Sequence, residues 1–467
     1  MVARAPRSLV AVRVSGVQPA RRIAFEVIVA VRESDAYANL LLPTKIQRAK
    51  LSAQDAGLAT ELTYGTLRGL GYYDAVIAHV ARRPTAKIDP GILDLLRLGS
   101  HQLLAMRIAQ HAAVDESVAL AKEVARSAAG FVNGVLRTIG RGSPEQWRDR
   151  VLDGVSGADA RLAIEHSHPE WVVAALRAAL AAEGREAELP ALLAADTVPP
   201  RVGLVALPGL ATSGELDGTA DRFSPLGAVS DSGDPGTNTA VAEGRARVQD
   251  EGSQLAALAL SRARPIVAAE RWLDLCAGPG GKAALLAAEA AGGGAEFGAN
   301  EITPARAELV RHALAARAAP PTVTELDGRT IGRLKPGVFD RILLDAPCTG
   351  LGALRRRPEA RWRKSPADVE ELAQLQRDLL DSALDALKPG GLLAYVTCSP
   401  QLAETTAVVD AVLSTRVDAR RLDTAAVLSR LTVHPLELGD RADGSVQLWP
   451  HRHGTDAMYI CLIERAA

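Results

Sequence analysis

Two cysteines stand where a chain can do chemistry with them. In FDRILLDAPCTG, residues 339–350, the apolar run Ile342, Leu343 and Leu344 is closed by Asp345, and Pro347 and Cys348 follow. This is the pattern of a buried strand in a parallel sheet, whose carboxyl end delivers a carboxylate and a thiol into a crevice. LLAYVTCSP, residues 392–400, repeats the design and puts a second thiol, Cys398, at the end of a second strand. Groups on a rigid strand tip can be aimed, and a thiolate held there is a nucleophile for covalent catalysis. The other two cysteines read differently. Cys276 lies inside a glycine turn, where it packs or touches a ligand, and Cys461, in AMYICLIER, is a buried strand thiol. Four scattered cysteines make neither a disulfide framework nor a paired CxxC metal site, so we expect a reducing, cytoplasmic setting and no metal.

The turn around Cys276 is the candidate cofactor site. LDLCAGPGGKA, residues 273–283, reads as strand, turn and helix, with Cys276, Ala277, Gly278, Pro279, Gly280, Gly281 and Lys282 forming the turn. Its glycines let backbone approach a ligand, and the helix that follows offers free N–H groups and positive potential. The spacing Gly278-x-Gly280-x-x-Ala283 matches the relaxed dinucleotide fingerprint, whereas a Walker A loop is excluded because Ala283 stands where Ser or Thr is required. A nicotinamide cofactor and S-adenosylmethionine both suit such a turn. Both need an acid after the second strand for the ribose hydroxyls, and Glu301, in GANEITPAR, is placed for it. Asp327, at the tip of the third strand, is placed to accept from an adenine amino group. Asp345 is placed near the cationic end of S-adenosylmethionine or near a substrate base.

One reaction uses every one of these groups. Carbon 5 of cytosine is a poor nucleophile, but a thiolate added at carbon 6 converts the ring to an enamine, and carbon 5 can then take a methyl group. Loss of the carbon-5 proton and elimination free the enzyme. The reaction demands one thiol of lowered pKa and a donor that stabilises charge on the ring. Cys348 and Cys398 are both placed to be that thiol, and chemistry alone does not rank them, because DNA cytosine methyltransferases use a cysteine that follows proline.

The surrounding elements must hold these groups in place. From Arg271 the strands RWLDLCA, AEFGANEI, TVTELDG, FDRILLDAP and GLLAYVTCSP alternate with the helices KAALLAAEAA, TPARAELVRHALAAR and DVEELAQLQRDLLDSALDAL. Such alternation calls for an α/β, doubly wound, Rossmann-like sheet with ligands at the strand carboxyl ends. Residues 20–34, 55–81, 89–106, 112–127 and 130–141 carry apolar positions at helical spacing and form an all-α bundle, in which His79, His101 and His111 read as surface or core residues. We divide the chain into a disordered basic tail (1–17), the helical bundle (18–142), a connector helix with a small α+β subdomain (143–245) and the catalytic domain (246–467). The tail has no apolar core of a signal peptide, and no apolar run approaches the roughly 18 residues of a membrane span. The net charge of -1 hides an asymmetry: residues 1–150 hold 21 lysines and arginines against 13 acids, and the remainder 33 against 42. A basic first third is the footprint of a nucleic-acid partner.

Residues 20–140 resemble the NusB-like RNA-binding domain, through AFEVIVAV, ANLLL, LATELTYGTLR, ILDLLRLGSHQLL, HAAVDESVALAK and GFVNGVLR. Residues 246–415 resemble the RsmB/Sun family of RNA cytosine-C5 methyltransferases, through VQDEGSQLAALAL, DLCAGPGGKA, FDRILLDAPCTGLGALRRRPEARW, LAQLQRDLLDSALDALKPGG and YVTCSP. The resemblance implies S-adenosylmethionine as cofactor and small-subunit ribosomal RNA as partner, and we expect a monomer. It places the cofactor loop on Cys276 to Lys282 and the ribose, adenine and fourth-strand acids on Glu301, Asp327 and Asp345. It makes Cys398 the nucleophile and implicates Cys348 in product release. This chain departs from the family at Gly278, where Ala is usual, at Ala283, where Thr is usual, and at Glu301, where Asp is usual. Its C-terminal ending follows the family's aromatic pattern only loosely. Residues 354–364, LRRRPEARWRK, carry six basic residues and Trp362 directly after the Cys348 loop, as a loop that holds RNA phosphates would. Two readings compete. A catalytically inert ribosome-assembly or transcription factor has no use for the retained thiols and glycine loop, and a nicotinamide dehydrogenase has none for the strand-tip cysteines. An amino-methyltransferase would carry a [DN]-P-P-aromatic signature instead of DAPC.

Overall fold

Two units divide the chain between Ser167 and His168 in the computed structural model, which describes residues 16–34, 36–317 and 319–466. Residues 1–15 of the expected basic tail lie outside the described residues.

The first unit is helical, and its helices start where local chemistry dictates. Asp89 accepts from the backbone N–H groups of Gly91 and Ile92, and Pro90 occupies the first turn of the helix Pro90–Leu104. Ser52 caps the helix Ala53–Arg68 by accepting from Asp55 N–H. The apolar stripe of Pro19–Glu33 (Ile23, Val27, Ile28, Val31) packs with Leu62, Leu95, Val132 and Leu136. The deeply buried Asp94 is held by Arg32 at 2.7 Å and Arg97 at 3.0 Å, so its charge is compensated. His101 is a core residue bonded to Tyr73 Oη at 2.8 Å. The helices Pro144–Leu152 and Ala158–Glu165, which we expected in the connector, belong to this unit. Trp147 explains why: its indole N–H donates to Ile139 O at 2.7 Å, and its ring joins the bundle core.

The second unit holds two sheets. In the smaller, β1 (Gly203–Ala206), β2 (Thr219–Ala220), β3 (Gly227–Val229) and β4 (Ala246–Val248) run in the order β2-β3-β1-β4 with antiparallel pairing. Because β4 pairs with β1, this subdomain crosses the expected boundary at residue 245. The larger sheet comprises β5 (Arg271–Asp274), β6 (Glu296–Asn300), β7 (Thr322–Thr324), β8 (Phe339–Asp345), β9 (Leu387–Thr397), β10 (Ala419–Arg421), β11 (Val446–Gln447) and β12 (Tyr459–Arg465). Its order is β10-β12-β9-β8-β5-β6-β7, with β11 paired to β12. Strands β5 to β9 are parallel, as the alternation requires, and β12 runs antiparallel to β9 and β10. Ile342, Leu343 and Leu344 of β8 are fully buried, with Leu343 in the core on one face and its two neighbours in the core on the other. Arg341, also on β8, donates to the carbonyls of Leu260, Ser261 and Pro265 and pairs with Glu270 at 2.9 Å, which ties β8 to the end of the helix Glu251–Ser261. The chain runs outward from β5 to β7, then returns to β8 on the other side of β5. The carboxyl ends of β5 and β8 therefore flank the switch point, where a doubly wound sheet opens a crevice.

Candidate active site

The glycine turn sits at that switch point, between β5 and the helix Gly281–Gly292. One of its glycines is required and a second is crowded. Gly280 has φ +107, and a Cβ there would lie 2.5 Å from Ala313 Cβ. A Cβ on Gly278 would run into Glu301 Oε2 and Arg306 Nε. Glu301 is buried; it accepts from Gly278 N–H at 3.1 Å and from Thr303 N–H at 3.0 Å, while Arg306 donates to Gly278 O at 2.6 Å. The acid assigned from sequence to ribose thus also shapes the loop. Asp327 follows β7 and in this structure caps a short 3-10 turn, accepting from Arg329 N–H and pairing with its guanidinium at 2.7 Å.

Sequence reasoning missed two residues here. Asn300, at the end of β6, donates to Leu275 O and Leu326 O and accepts from Leu326 N–H and Thr324 Oγ1, so one buried amide stitches together the loops after β5, β6 and β7. Asp274, the last residue of β5, is wholly buried, with the Cys276 backbone N–H facing its carboxyl. Burial, reinforced by the charge of Asp345 and opposed by Lys282, pushes its carboxyl well above the usual range. Asp274 follows the apolar pair Trp272-Leu273 just as Asp345 follows Leu343-Leu344, so the signal was present.

Asp345 Oδ2 pairs with Lys282 Nζ at 2.9 Å across the crevice. Burial pulls the Lys282 ammonium down, but Asp345, Cys398 and Asp274 more than restore it, and the group stays charged. The two thiols meet: Cys348 Sγ and Cys398 Sγ are 3.5 Å apart, at the ends of neighbouring strands, and both are half-buried. The surrounding charges make the pair unequal. Cys398 is lowered by the hydrogen bond from Cys348, against burial and Asp345, with Arg357 and Lys282 also favouring its thiolate. Cys348 is raised by the same hydrogen bond, by burial and by the charges of Cys398, Glu404 and Asp345. The surroundings therefore favour a thiolate at Cys398 over one at Cys348. Cys276 lies in the turn, raised by burial and by the neighbouring acids, and Cys461 is buried in β12 with its thiol pushed up to about 12. Neither is poised as a nucleophile.

The assignment can be read directly. Alkylation of Cys398 by iodoacetamide should depend on its thiolate, so its rate should be retained above a pKa lower than that of an ordinary thiol and lost as pH falls through it. Lys282→Met removes one of the two cations and should shift that profile upward. An ordinary thiol profile at Cys398, or a faster reaction at Cys348, would reverse the assignment.

The basic stretch after Cys348 needs a correction. Of its six basic residues, Arg355 and Arg356 turn inward to Asp250 and Asp456, with Arg356 at 2.6 Å and 3.1 Å. Arg361 is fully buried against His168 and the carbonyl of Asp196. Local sequence cannot tell an inward arginine from an outward one, and the groups that claim these residues lie far off in sequence. Arg357 and Trp362 are exposed, Trp362 by 37%, and Arg363 and Lys364 are partly so.

A sheet with this strand order, a glycine turn at its switch point and an antiparallel β12 beside the thiol-bearing strand is the fold of an S-adenosylmethionine-dependent methyltransferase. Residues 265–464 match the 16S rRNA methyltransferase RsmB/F family, and residues 18–141 match the NusB family. The ribosomal RNA small subunit methyltransferase B of Pseudomonas putida is 31% identical over 460 residues, covering 96% of this chain and 98% of that protein. A Mycobacterium tuberculosis H37Rv protein named for a methyltransferase is 49% identical over 454 residues, 96% of each chain. The solved structure of PH0851 shares the fold with a TM-score of 0.79 at 21% identity, over 96% of this chain and 99% of that one. This chain belongs to the RsmB/F family of 16S rRNA methyltransferases, and its cofactor is S-adenosylmethionine, which closes the choice left open by the glycine turn.

The residues fit that cofactor. The turn presents backbone without side chains at Gly278, Gly280 and Gly281. Ile302 and Leu326, which follow the ends of β6 and β7, are 57% and 37% exposed and offer apolar surface to a purine. Asp345, held by Lys282, supplies negative charge opposite a cationic ligand. Among the described residues no cluster of His, Cys, Asp or Glu is arranged to hold a metal, and no helix is long and apolar enough to cross a membrane.

Proposed function

We propose that this enzyme methylates carbon 5 of cytosine in small-subunit ribosomal RNA through a covalent bond between Cys398 and carbon 6 of the base. The observation that carries the reading is the pair of sulfurs 3.5 Å apart at the ends of β8 and β9, with the charges around them favouring a thiolate at Cys398. The loop from Cys276 to Lys282, with Glu301, Asp327 and Asp345, would hold S-adenosylmethionine, which supplies an electrophilic methyl group on a sulfonium.

The protein's own groups do the rest. Lys282 and Arg357 favour the Cys398 thiolate, whose sulfur adds to carbon 6, sending an electron pair to carbon 5. When the carbon-5 proton has left for a base, the ring double bond re-forms and the carbon–sulfur bond breaks, returning the pair to sulfur. Cys348, whose sulfur lies 3.5 Å from Cys398, donates a hydrogen bond to the departing sulfur. Asp345 stands near the reacting base, oriented by Lys282. Arg357, Arg363, Lys364 and Trp362 offer phosphate and stacking contacts for a strand with one base drawn out. The first unit, which matches the NusB family, is the RNA-binding module. The four free cysteines suit the cytoplasm, and we take the working form to be a monomer.

Purified protein given labelled S-adenosylmethionine and unmethylated small-subunit RNA should place label on cytosine carbon 5, mapped by bisulfite sequencing. Protein lacking residues 1–167 should bind that RNA at least about tenfold more weakly while keeping its cofactor affinity. Label on adenine would end the proposed chemistry, and unchanged RNA affinity would end the domain assignment.

A further inference from the structure

Beyond the thiols, the crevice floor holds a carboxylate to which none of the foregoing assigns a role. Glu404 is 0% exposed, and the four donors to its carboxylate are all neutral. Oε1 accepts from Thr349 N–H at 2.8 Å and from Gln376 Nε2 at 3.2 Å. Oε2 accepts from Thr349 Oγ1 and from Ser399 Oγ at 2.6 Å. Thr349 immediately follows Cys348, and Ser399 immediately follows Cys398. The two hydroxyls also lie 3.1 Å from each other. One carboxylate thus grips the residue after each thiol. It is itself fixed: Tyr395 Oη on β9 donates to Glu404 O at 2.8 Å, and Gln376 Nε2 donates to Pro347 O at 2.8 Å, on the other side of Cys348. A buried carboxylate without a cation is costly unless its lone pairs are filled. Here the four donors fill them, two from the hydroxyls of the cysteine loops and one from a backbone amide of the Cys348 loop.

We propose that Glu404 is a positioning residue that sets the distance between the two thiols by clamping the loops that carry them. A group bound to one loop alone would leave the other free to drift, and a donor–acceptor contact between sulfurs is lost with a displacement of about 1 Å. The proposal rests on the two-thiol reading but can fail separately from it.

The test measures proximity without RNA. Diamide, a two-electron oxidant, takes the two thiol protons and two electrons and leaves a Cys348–Cys398 disulfide, followed by mass spectrometry of the peptides. Wild type should close this bond quickly. Glu404→Ala should close it at least about tenfold more slowly and lose a similar factor in methyl-transfer kcat, with KM for the cofactor and binding of S-adenosylhomocysteine unchanged. Glu404→Gln should recover much of the rate, because Thr349 and Ser399 can turn their hydroxyls to accept from an amide. Should Glu404→Ala not fold, Glu404→Asp, with its carboxylate drawn back by one methylene, should show the same slowing. Disulfide closure at the wild-type rate would overturn the proposal. Slowing accompanied by loss of S-adenosylhomocysteine binding would also overturn it, since that marks a general structural role. If instead wild-type transfer survives Cys398→Ser, the covalent reading fails, and the diamide rates still decide the clamp.

Discussion

Cys348→Ala should leave the protein joined to its RNA. The expected product is a covalent adduct that survives denaturant and appears as a slow band on a denaturing gel. The reason lies in the 3.5 Å contact between the sulfurs. While Cys398 is bonded to carbon 6, nothing is lost by removing its neighbour. When the bond breaks, the leaving sulfur becomes an anion in a half-buried site, and Cys348 is the donor that meets it. A hydrogen bond to a charged group is worth about 1.5–3 kcal/mol, so elimination should slow by about 10- to 150-fold, while addition is slowed less because Lys282 and Arg357 still favour the thiolate. Cys398→Ser should instead form no adduct and lose turnover by more than about 1,000-fold, because a serine hydroxyl at this site has no base beside it to make it a nucleophile. An adduct that builds up in the Cys398 variant and requires Cys348 would exchange the two roles.

Gly280→Ala should remove cofactor binding and with it methyl transfer. The new methyl would meet Ala313 Cβ at 2.5 Å and Val310 Cα at 3.1 Å, on a helix that cannot step aside without disturbing the core. The backbone at φ +107 is also strained for any L side chain. Relieving both moves the turn away from the position its ligand needs. We expect affinity for S-adenosylhomocysteine, measured by calorimetry, to fall by at least about 100-fold, a loss of about 2.7 kcal/mol, with the helical first unit as stable as before by circular dichroism. Binding within threefold of wild type would show that the turn is not the cofactor loop.

The thiol-bearing strands were legible because they obey local rules. Ile342 to Leu344 are apolar on both faces, so only a strand buried between two layers suits them, and the acid and thiol after them could only emerge at its end. The glycine turn was legible for the same reason, since no other residue occupies φ +107 cheaply. What escaped detection depended on partners distant in sequence. Arg356 and Arg361 look like phosphate ligands until Asp250, Asp456 and His168 arrive from elsewhere in the chain. Glu404 looks like one acid in a loop until it is seen between Thr349 and Ser399. Helices 144–152 and 158–165 carried no sign of which neighbour they would join, because amphipathic helices on either side of a boundary look alike.

The amide of Asn300 has a consequence for the catalytic cycle. By binding the ends of three loops at once it completes the rim of the cofactor crevice when the chain folds, before any ligand arrives. The entropic cost of ordering that rim belongs to synthesis, and no round of methylation has to meet it again. Cofactor binding therefore has less backbone left to order.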